Sequence, residues 1–187
     1  MAKVYEFIAT GSEEIETLIP LDIMRRAGVE FQTVSISGSK EIVSSHGVTI
    51  KADLLFDEAD IESADLLMLP GGLPGATNLN EYEPLRKALL EHAAKGKKIG
   101  AICAAPMVLG SLGLLKGRRA TCYPGFEKYL TGAEYTHELC TVDGNITTGE
   151  GPAATLPYAY ELLGQLTDRA KADEVAEGMM FKHLMQK

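Results

Sequence analysis

The sequence predicts an α/β protein in which helices cover both faces of a mostly parallel sheet. Short apolar runs that suit buried strands alternate along the chain with longer segments whose apolar residues recur at helical spacing. Turns rich in glycine and proline separate the two kinds of segment. Because 187 residues suit one hydrophobic core and no repeat or linker is visible, we predict a single domain over residues 1–187.

The first strand and the first helix carry the clearest signals. Residues 4–9 form a compact apolar run, which Gly11 interrupts. Residues 13–27 then place apolar side chains at a helical period: Ile15, Leu18, Ile19, Ile23 and Met24. Acidic residues begin this segment, two arginines end it, and Gly28 follows, as the helix dipole and a glycine C-cap favour.

The rest of the chain continues this alternation. We predict strands over residues 31–36, 64–69 and 98–102, a hairpin over residues 41–50 that turns near His46-Gly47, and several short strands between residues 119 and 148. Helices are predicted over residues 83–95, 104–112, 153–166 and 168–180.

Four loops of unusual composition each follow a predicted strand, and they begin at Thr10, Pro70, Cys103 and Gly149. In doubly wound α/β folds, functional groups gather at the carboxyl ends of the parallel strands. If these four strands are neighbours, their loops share one edge of the sheet. We predict that the functional site lies along that edge.

Cys103 carries the strongest chemical signal in the chain. An apolar strand runs directly into it, two alanines follow, and Pro106 suits the first turn of a helix. The pattern is typical of a nucleophile elbow, in which a tight turn projects a side chain outward. A helix N-terminus also favours a thiolate. We therefore predict an exposed, reactive thiol at Cys103, and we interpret Cys122 and Cys140, which lack this context, as structural.

Two other segments offer partners for this thiol. The turn Pro70-Gly71-Gly72 can bring backbone N–H groups close to a reacting centre, and Gly72 and Ala104 are the natural oxyanion donors. The acidic cluster of Glu13, Glu14 and Glu16 begins the first helix, where acids are favoured in any case. Glu16 could face inward and, if protonated, donate a hydrogen bond to the sulfur. Periodicity alone does not choose among the three acids.

Composition excludes several classes of function. The formal net charge of −8 disfavours binding to nucleic acid. No apolar stretch is long enough to span a membrane, and the N-terminus makes a poor secretory signal, so we predict a cytoplasmic protein. Three cysteines argue against a disulfide framework, and the histidines lack ligand spacing, so no metal site is predicted.

The sequence resembles the ThiJ/PfpI superfamily over nearly its whole length and in the family order. The matching segments are Gly11-Ser12-Glu13-Glu14-Ile15-Glu16-Thr17, Asp22-Ile23-Met24-Arg25-Arg26-Ala27-Gly28, Leu69-Pro70-Gly71-Gly72, Ala101-Ile102-Cys103-Ala104-Ala105-Pro106 and Thr148-Gly149-Glu150-Gly151-Pro152. The resemblance implies a flavodoxin-like three-layer sandwich, similar to class I glutamine amidotransferases, that needs no cofactor.

The resemblance also assigns roles to individual residues. It implies that Cys103 is the nucleophile, that Glu16 is its protonated partner, and that Gly72 and Ala104 supply the oxyanion donors. It further implies a homodimer through the first helix region, with Asp22 and Arg26 near the site. Gly151 and Pro152, in the last matching segment, are possible contacts to substrate.

Two departures from the family pattern bear on activity. Many relatives place a histidine where this chain has Tyr123, and protease-like members carry one directly after the cysteine, where this chain has Ala104. Without a Cys–His dyad, an amidase or peptidase is the weakest hypothesis. Tyr123 is either a substrate contact or a packing aromatic. His46 lies in a hairpin where some relatives have arginine, and it could act at the rim or across a dimer interface.

The leading hypothesis is therefore chemistry on small reactive carbonyls, of the glyoxalase or deglycase type, through a hemithioacetal at Cys103. A second hypothesis is a peroxide-sensing thiol that oxidises to the sulfinate. A redox-regulated chaperone is a third. The first two share one requirement, which is an activated sulfur at Cys103.

Overall fold

A computed structural model describes residues 1–185. Its strands are β1 (Lys3–Ile8), β2 (Glu30–Ser35), β3 (Glu41–Val43), β4 (Thr49–Lys51), β5 (Leu54–Leu55), β6 (Leu66–Leu69), β7 (Lys98–Ile102), β8 (Arg119–Ala120), β9 (Glu134–Tyr135), β10 (Cys140–Asp143) and β11 (Ile146–Gly149). Within this part of the chain, seven strands form the central sheet in the order β10-β11-β7-β6-β1-β2-β5. All neighbours in it are parallel except β10, which forms an antiparallel hairpin with β11.

Helices cover both faces of this sheet, as predicted. They are α1 (Glu14–Arg26), α2 (Gly75–Glu81), α3 (Glu83–Ala94), α4 (Pro106–Ser111), α5 (Thr155–Leu166), α6 (Arg169–Gly178) and α7 (Phe181–Met185). One apolar core joins α2, α3 and α4 to the face of β1 that carries Tyr5 and Phe7. A second core joins α1, α5 and α6 to the face that carries Val4. The result is a three-layer α/β sandwich with its core on both sides of the sheet.

The predicted common edge of the four loops is confirmed. Strands β1, β6, β7 and β11 are parallel, and they lie side by side in the sheet. The loops that follow them therefore leave the sheet at the same end. The hairpin predicted around His46-Gly47 is also present, formed by β3 and β4.

The predicted apolar face of the first helix is partly wrong. Ile23 and Met24 are buried, but Ile15 and Leu18 remain 43% and 41% exposed. Glu16 and Thr17 take the inward positions in the first turns of α1. The helix enters the sandwich from the rim, so its first inward-facing side chains meet the polar loops there and not the apolar core.

Several helix boundaries differ from the prediction. Helix α2 was not predicted, because its segment Gly75-Ala76-Thr77-Asn78 contains poor helix formers. Helix α4 has six residues and begins at Pro106, after a turn, so it is shorter than the segment 104–112. The predicted terminal helix over residues 168–180 corresponds to α6, which ends at Gly178; Met180, with a left-handed φ of 62°, separates it from α7, which was not predicted.

Candidate functional site

Cys103 occupies a sharp turn between β7 and α4. Its φ is 63°, a left-handed conformation that a residue with a side chain adopts at a cost in energy. The turn is held on both sides, because the Cys103 N–H donates to the Gly149 carbonyl at 2.9 Å and its carbonyl accepts from the Tyr123 N–H at 2.8 Å. The predicted strand-to-helix elbow is therefore present.

The prediction that the thiol is exposed is wrong. Cys103 is 8% exposed, because the loop after β6 and the first turn of α1 close over it. The expected help from a helix N-terminus is also small, since α4 has six residues and begins three residues later. Burial raises the pKa of the Cys103 thiol, and the backbone N–H donors of Gly72 and Ala104 favour the charged sulfur and offset part of that rise. They are the two donors that the sequence predicted.

Gly71 provides the space in which these groups meet. A Cβ at this position would lie 2.7 Å from the Cβ of Cys103, 2.8 Å from Oε2 of Glu16 and 2.9 Å from the Ala104 nitrogen. Any side chain would therefore push the cysteine and the carboxyl group apart. The sequence marked the turn Pro70-Gly71-Gly72 as a source of donors, but it did not show that Gly71 is needed for its lack of a side chain.

The structure assigns different positions to the three clustered acids. Glu13 caps α1, since its Oε2 accepts the Glu16 N–H at 2.8 Å. Glu14 faces His46, with 3.0 Å between its Oε1 and the ring Nδ1. Glu16 is fully buried and points toward Cys103, and its Oε2 accepts the Gly71 N–H at 2.8 Å. The choice that periodicity left open is thus made by what each carboxyl group contacts.

Glu16 and Cys103 form an electrostatically coupled pair. Burial raises the pKa of Glu16 to about 7. The hydrogen bonds from the Gly71 N–H and the Cys103 side chain act in the opposite direction but are smaller effects. Burial also raises the pKa of the Cys103 thiol, and a charged Glu16 raises it further. Two adjacent negative charges are disfavoured in this dry site, so the two groups titrate as a unit. A thiolate is compatible with this geometry when Glu16 holds its proton.

His46 lies at the mouth of the site beside the acids. Its Nδ1 is 3.0 Å from Glu14 and 4.0 Å from the nearer oxygen of Glu13, and the three side chains place potential metal ligands within 4.8 Å of one another. The sequence did not show this group, because more than 30 residues separate His46 from the two acids. A hydrogen-bonded pair of His46 with Glu14 accounts for the contact, and the N-terminus of α1 opposes a cation. The arrangement therefore does not require a metal.

A pocket opens beside the Cys103 turn. Its lining residues are Tyr123, Pro124, Leu139, Glu150, Gly151, Pro152, Ala153 and Ala154. Three of the predicted substrate contacts, Tyr123, Gly151 and Pro152, thus line one cavity, whereas His46 lies elsewhere on the rim. The Tyr123 ring is 46% exposed, so it is not a buried packing aromatic. Among the described residues that line this pocket, Glu150 is the one with a charged side chain.

Asp22 and Arg26 do not lie near the reactive pair within one chain. They form an exposed ion pair with each other, with 2.8 Å between Arg26 Nε and Asp22 Oδ2. Arg26 ends α1, ten residues after Glu16, which is about 15 Å along a helix. The helix carries Arg26 away from the rim of its own chain, and the expectation that Asp22 and Arg26 lie near the site in a homodimer stays a prediction.

The other two cysteines lack the surroundings of Cys103. Cys122 is fully buried, Cys140 is partly buried, and neither contacts a carboxyl group in the way that Cys103 does. Burial raises the pKa of each thiol to about 12. Burial raises the pKa of the Cys103 thiol as well, but Cys122 and Cys140 lack the backbone N–H donors that lower the pKa of Cys103, which supports their interpretation as structural cysteines.

None of the helices in residues 1–185 has the combined length and apolarity that a bilayer crossing requires.

Comparison with known proteins relates the site to a family. The DJ-1/PfpI family matches residues 2–165. Protein DJ-1 homolog B of Arabidopsis thaliana is 35% identical over 182 residues, which are 96% of this chain and 42% of that protein. A deglycase of Pyrococcus horikoshii is 35% identical over 166 residues, 86% of this chain and 97% of that protein. The chain thus spans less than half of the plant protein and nearly all of the archaeal one.

The fold and the sequence agree on the same relatives. The structure of oxidized DJ-1 from Toxoplasma gondii superimposes with a TM-score of 0.92 at 34% identity, over 96% of this chain and 98% of that one. The family match covers the whole sheet and every loop that surrounds Cys103. The flavodoxin-like fold implied by the ThiJ/PfpI resemblance is therefore confirmed, and the chain belongs to the DJ-1/PfpI family.

Proposed function

We propose that the protein is a cofactor-independent enzyme that converts small α-oxoaldehydes to hydroxy acids, in a glyoxalase or deglycase reaction at Cys103. The observation that carries this proposal is the buried Glu16–Cys103 pair with the N–H groups of Gly72 and Ala104 directed at the sulfur. A nucleophile, a proton carrier and two charge-stabilising donors are the groups that such chemistry requires. The name of the archaeal deglycase supports the same class of reaction.

The first step forms a covalent adduct. The Cys103 thiolate attacks the aldehyde carbon of methylglyoxal, a C–S bond forms, and the carbonyl electron pair moves to oxygen. Glu16, protonated beside the sulfur, gives its proton to that oxygen and leaves a hemithioacetal. The N–H groups of Gly72 and Ala104 stabilise the negative charge before and during attack.

The second step moves hydrogen within the adduct. The Glu16 carboxylate removes the proton from the carbon bonded to sulfur, and the electron pair moves to the neighbouring carbonyl oxygen, which gives an enediolate. Glu16 returns the proton to that neighbouring carbon. The hydroxyl proton of the first carbon moves to the neighbouring oxygen, which leaves the thioester of lactate. Water then cleaves the thioester, which releases lactate and restores the thiol. The net reaction adds one water to methylglyoxal, so no oxidant or reductant is consumed.

The test measures lactate formed from methylglyoxal. Wild-type protein should produce it, and Cys103→Ala and Cys103→Ser should not. Cys140→Ala is the matched control, because it removes a partly buried thiol that lies outside the site. Undiminished turnover by Cys103→Ala would refute the proposal. Parallel assays with glycated thiols and amines measure deglycase activity with the same variants.

A second candidate function is peroxide sensing by the same sulfur. One observation favours it: the relative from Toxoplasma gondii was solved in an oxidized form. The thiolate attacks one peroxide to form a sulfenate and water, and a second peroxide converts the sulfenate to a sulfinate and water. Intact-mass and peptide analysis after mild peroxide should show two added oxygen atoms at Cys103. Oxidation at Cys122 or Cys140 instead would remove the basis for this function.

The remaining candidates are weaker. In the described residues no histidine contacts Cys103. His46 pairs with Glu14, His92 with the Lys98 carbonyl and His137 with the Tyr135 ring, and His183 is exposed in α7. An amidase or peptidase would lack its usual base. A chaperone role is tested by client protection that persists in Cys103→Ala.

We further propose a homodimer through α1, where Ile15 and Leu18 present apolar side chains to solvent.

A further inference from the structure

A buried carboxyl group in the centre of the sheet takes no part in the function proposed above. Glu6 lies in the middle of β1 and is fully buried. Among the described residues, neither of its carboxyl oxygens has a hydrogen-bond partner. A buried, unpartnered acid destabilises a folded protein, so its presence here needs an explanation.

The strand register places Glu6 on the same side of the sheet as the reactive pair. Glu6 pairs with Met68 on β6, and Met68 pairs with Gly100 on β7. Met68 belongs to the apolar core beneath α1 and α5, which also includes Cys103. The Glu6 side chain therefore enters the layer between the sheet and these two helices. Tyr158, from α5, reaches the same row, because its hydroxyl group lies directly over Gly100.

Four buried side chains on this side of the sheet have unpartnered oxygen atoms within the described part of the chain. They are Glu6, with both carboxyl oxygens, Glu16, with Oε1, and Thr155 and Tyr158 of α5, with their hydroxyl groups. Gly100 precedes Cys103 by three residues, so the row of Glu6 lies roughly 10 Å below the sulfur along the strand. Glu6 does not reach the sulfur itself. Glu16 Oε2 lies beside Gly71 at the level of Cys103, and the charge of Glu16 acts on Glu6.

The groups that face Glu6 leave it without a counter-charge. Helix α1 presents Glu16, α5 presents Tyr158, and the turn after β7 presents Cys103, and each of these is neutral or negative. On β2, the row neighbour is Thr33, whose hydroxyl is bonded to the carboxylate of Asp53. Asp53 in turn pairs with Arg25, so that this cation is already engaged. Burial therefore raises the pKa of Glu6 well above its usual range, and a charged Glu16 raises it further.

We propose that Glu6 is a positioning residue for the reactive pair: a neutral carboxylic acid behind Glu16 whose O–H dipole turns toward the negative charge shared by Glu16 and Cys103. A protonated carboxyl group in an apolar site is a good hydrogen-bond donor at neutral pH. Because the surrounding layer is apolar and dry, a dipole of this kind acts on the charge over a longer distance than it would in water. This inference rests on the reactive Glu16–Cys103 pair of the proposed function.

The alternative explanation is that Glu6 has no effect on the reactivity of the Glu16–Cys103 pair. The two explanations differ in what an apolar replacement does. Glu6→Leu removes the dipole and also removes an unpartnered buried acid, so the variant should be as stable as wild type or more stable. Glu6→Gln keeps a neutral polar group of the same size. Met68→Leu is the matched packing control, because it alters the adjacent side chain in the same layer without removing a polar group.

The experiment measures the rate of Cys103 alkylation by iodoacetamide from pH 5 to 10, with urea unfolding of each variant. We expect Glu6→Leu to slow alkylation at pH 7 to 8 by roughly three- to tenfold, through an upward shift of the midpoint by about half to one pH unit. Glu6→Gln and Met68→Leu should keep the wild-type profile. The combination of lower reactivity with undiminished stability would exclude partial unfolding as the cause.

Three results would overturn the inference. They are a wild-type profile for Glu6→Leu, an equal shift for Glu6→Gln, which would exclude a neutral dipole, and an equal shift for Met68→Leu, which would indicate packing. Alkylation does not depend on turnover. If wild-type protein makes no lactate but the Glu6→Leu profile shifts, the proposed function fails and the role of Glu6 stands.

Discussion

The Oε2 atom of Glu16 accepts a hydrogen bond from the backbone N–H of Gly71 at 2.8 Å. This contact joins the first turn of α1 to the loop after β6, directly beside Cys103. It exists because Gly71 has no side chain, so the helix and the elbow can both approach the same loop. The geometry of the reactive pair therefore depends on a residue that has no reactive group of its own.

We expect Gly71→Ala to disable the site. The added methyl group would lie within 3 Å of Cys103, Glu16 and Ala104 at once, so at least one of them must move. Overpacking of this kind costs about 1–3 kcal/mol of unfolding free energy. Displacement of the Ala104 N–H, which lowers the pKa of the Cys103 thiol, should slow alkylation by about tenfold or more. Thermal unfolding and alkylation rates measure the two effects.

Gly178→Ala serves as the control for this change. A Cβ at Gly178 meets nothing within 4 Å, and the residue lies in α6, far from the rim in sequence. Its alkylation rate should equal that of wild type. If Gly71→Ala also reacts at the wild-type rate, the close approach of the Gly71 loop to Cys103 and Ala104 is not needed for reactivity.

Substitution of Glu16 should separate thiol reactivity from turnover. Above pH 7 the charged carboxylate raises the pKa of the Cys103 thiol, so Glu16→Gln should alkylate faster than wild type in that range. Its turnover of methylglyoxal should nevertheless fall by about a hundredfold or more, because an amide cannot carry a proton. Glu16→Asp keeps the acid but shortens its reach, so it should lose turnover and retain the wild-type pH dependence of alkylation.

The two measurements together test the coupling of the pair. Slower alkylation of Glu16→Gln at every pH would show that the carboxyl group supports the thiolate in both of its protonation states. That result would contradict electrostatic repulsion between the Glu16 carboxylate and the Cys103 thiolate. Equal turnover of Glu16→Gln and wild type would remove Glu16 from the proposed reaction.

Cys103 illustrates what the sequence could predict about the site. Its apolar strand, the small residues after it and Pro106 are local signals, and they were sufficient to identify the elbow. The alternation of elements predicted a mostly parallel sheet, and the common edge of the four loops was conditional on their strands being neighbours, which the sheet order confirms. The low exposure of the thiol did not follow, because it depends on how closely the loop at Gly71 approaches, a distance between segments that are far apart in the chain.

Glu6 and Glu16 illustrate what the sequence could not decide. Periodicity left three acids open at the start of α1, since all of them suit a helix N-terminus. The structure distinguishes the three acids by their partners. Glu13 accepts the Glu16 N–H, Glu14 pairs with His46, and Glu16 accepts the Gly71 N–H. Glu6 carried no signal at all, because one acid within an apolar strand is typical of an edge or half-exposed strand, whereas β1 is central.

Protein stability should fall as pH rises through the titration of Glu16. Burial raises the pKa of Glu16 to about 7 in the folded protein, from 4.5 for an unperturbed carboxyl group. Between these values the folded state holds a proton that the unfolded state has lost, so the contribution of Glu16 is fully present below pH 4.5 and is lost as pH rises to 7. The loss is on the order of 3 kcal/mol.

Urea unfolding between pH 4 and 8 measures this effect. Glu16→Gln should remove the part of the decline that comes from Glu16, because the amide does not titrate, and should leave the part that comes from Glu6, whose pKa burial also raises. Glu14→Gln is the matched control, since Glu14 lies two residues away with its carboxyl toward His46, and it should leave the decline in place. An identical pH dependence for wild type and Glu16→Gln would show that Glu16 ionises normally in the folded protein.

The pocket beside Cys103 should discriminate against anionic substrates. Glu150 is the charged side chain among the described lining residues, and it gives the pocket negative potential next to the site of attack. Wild-type protein should therefore prefer methylglyoxal to its anionic analogue hydroxypyruvaldehyde phosphate. Glu150→Arg reverses the local charge and should raise kcat/KM for the anionic compound by about tenfold relative to methylglyoxal, whereas Glu150→Gln should give an intermediate ratio.

Glu177→Arg makes the same change of net charge on the exposed surface of α6 and should leave the ratio unchanged. The measurement is the ratio of kcat/KM values for the two aldehydes at low and high salt, because screening should reduce a pocket effect of this kind. If Glu177→Arg shifts the ratio as much as Glu150→Arg does, the preference arises from net charge, and the pocket does not select the substrate.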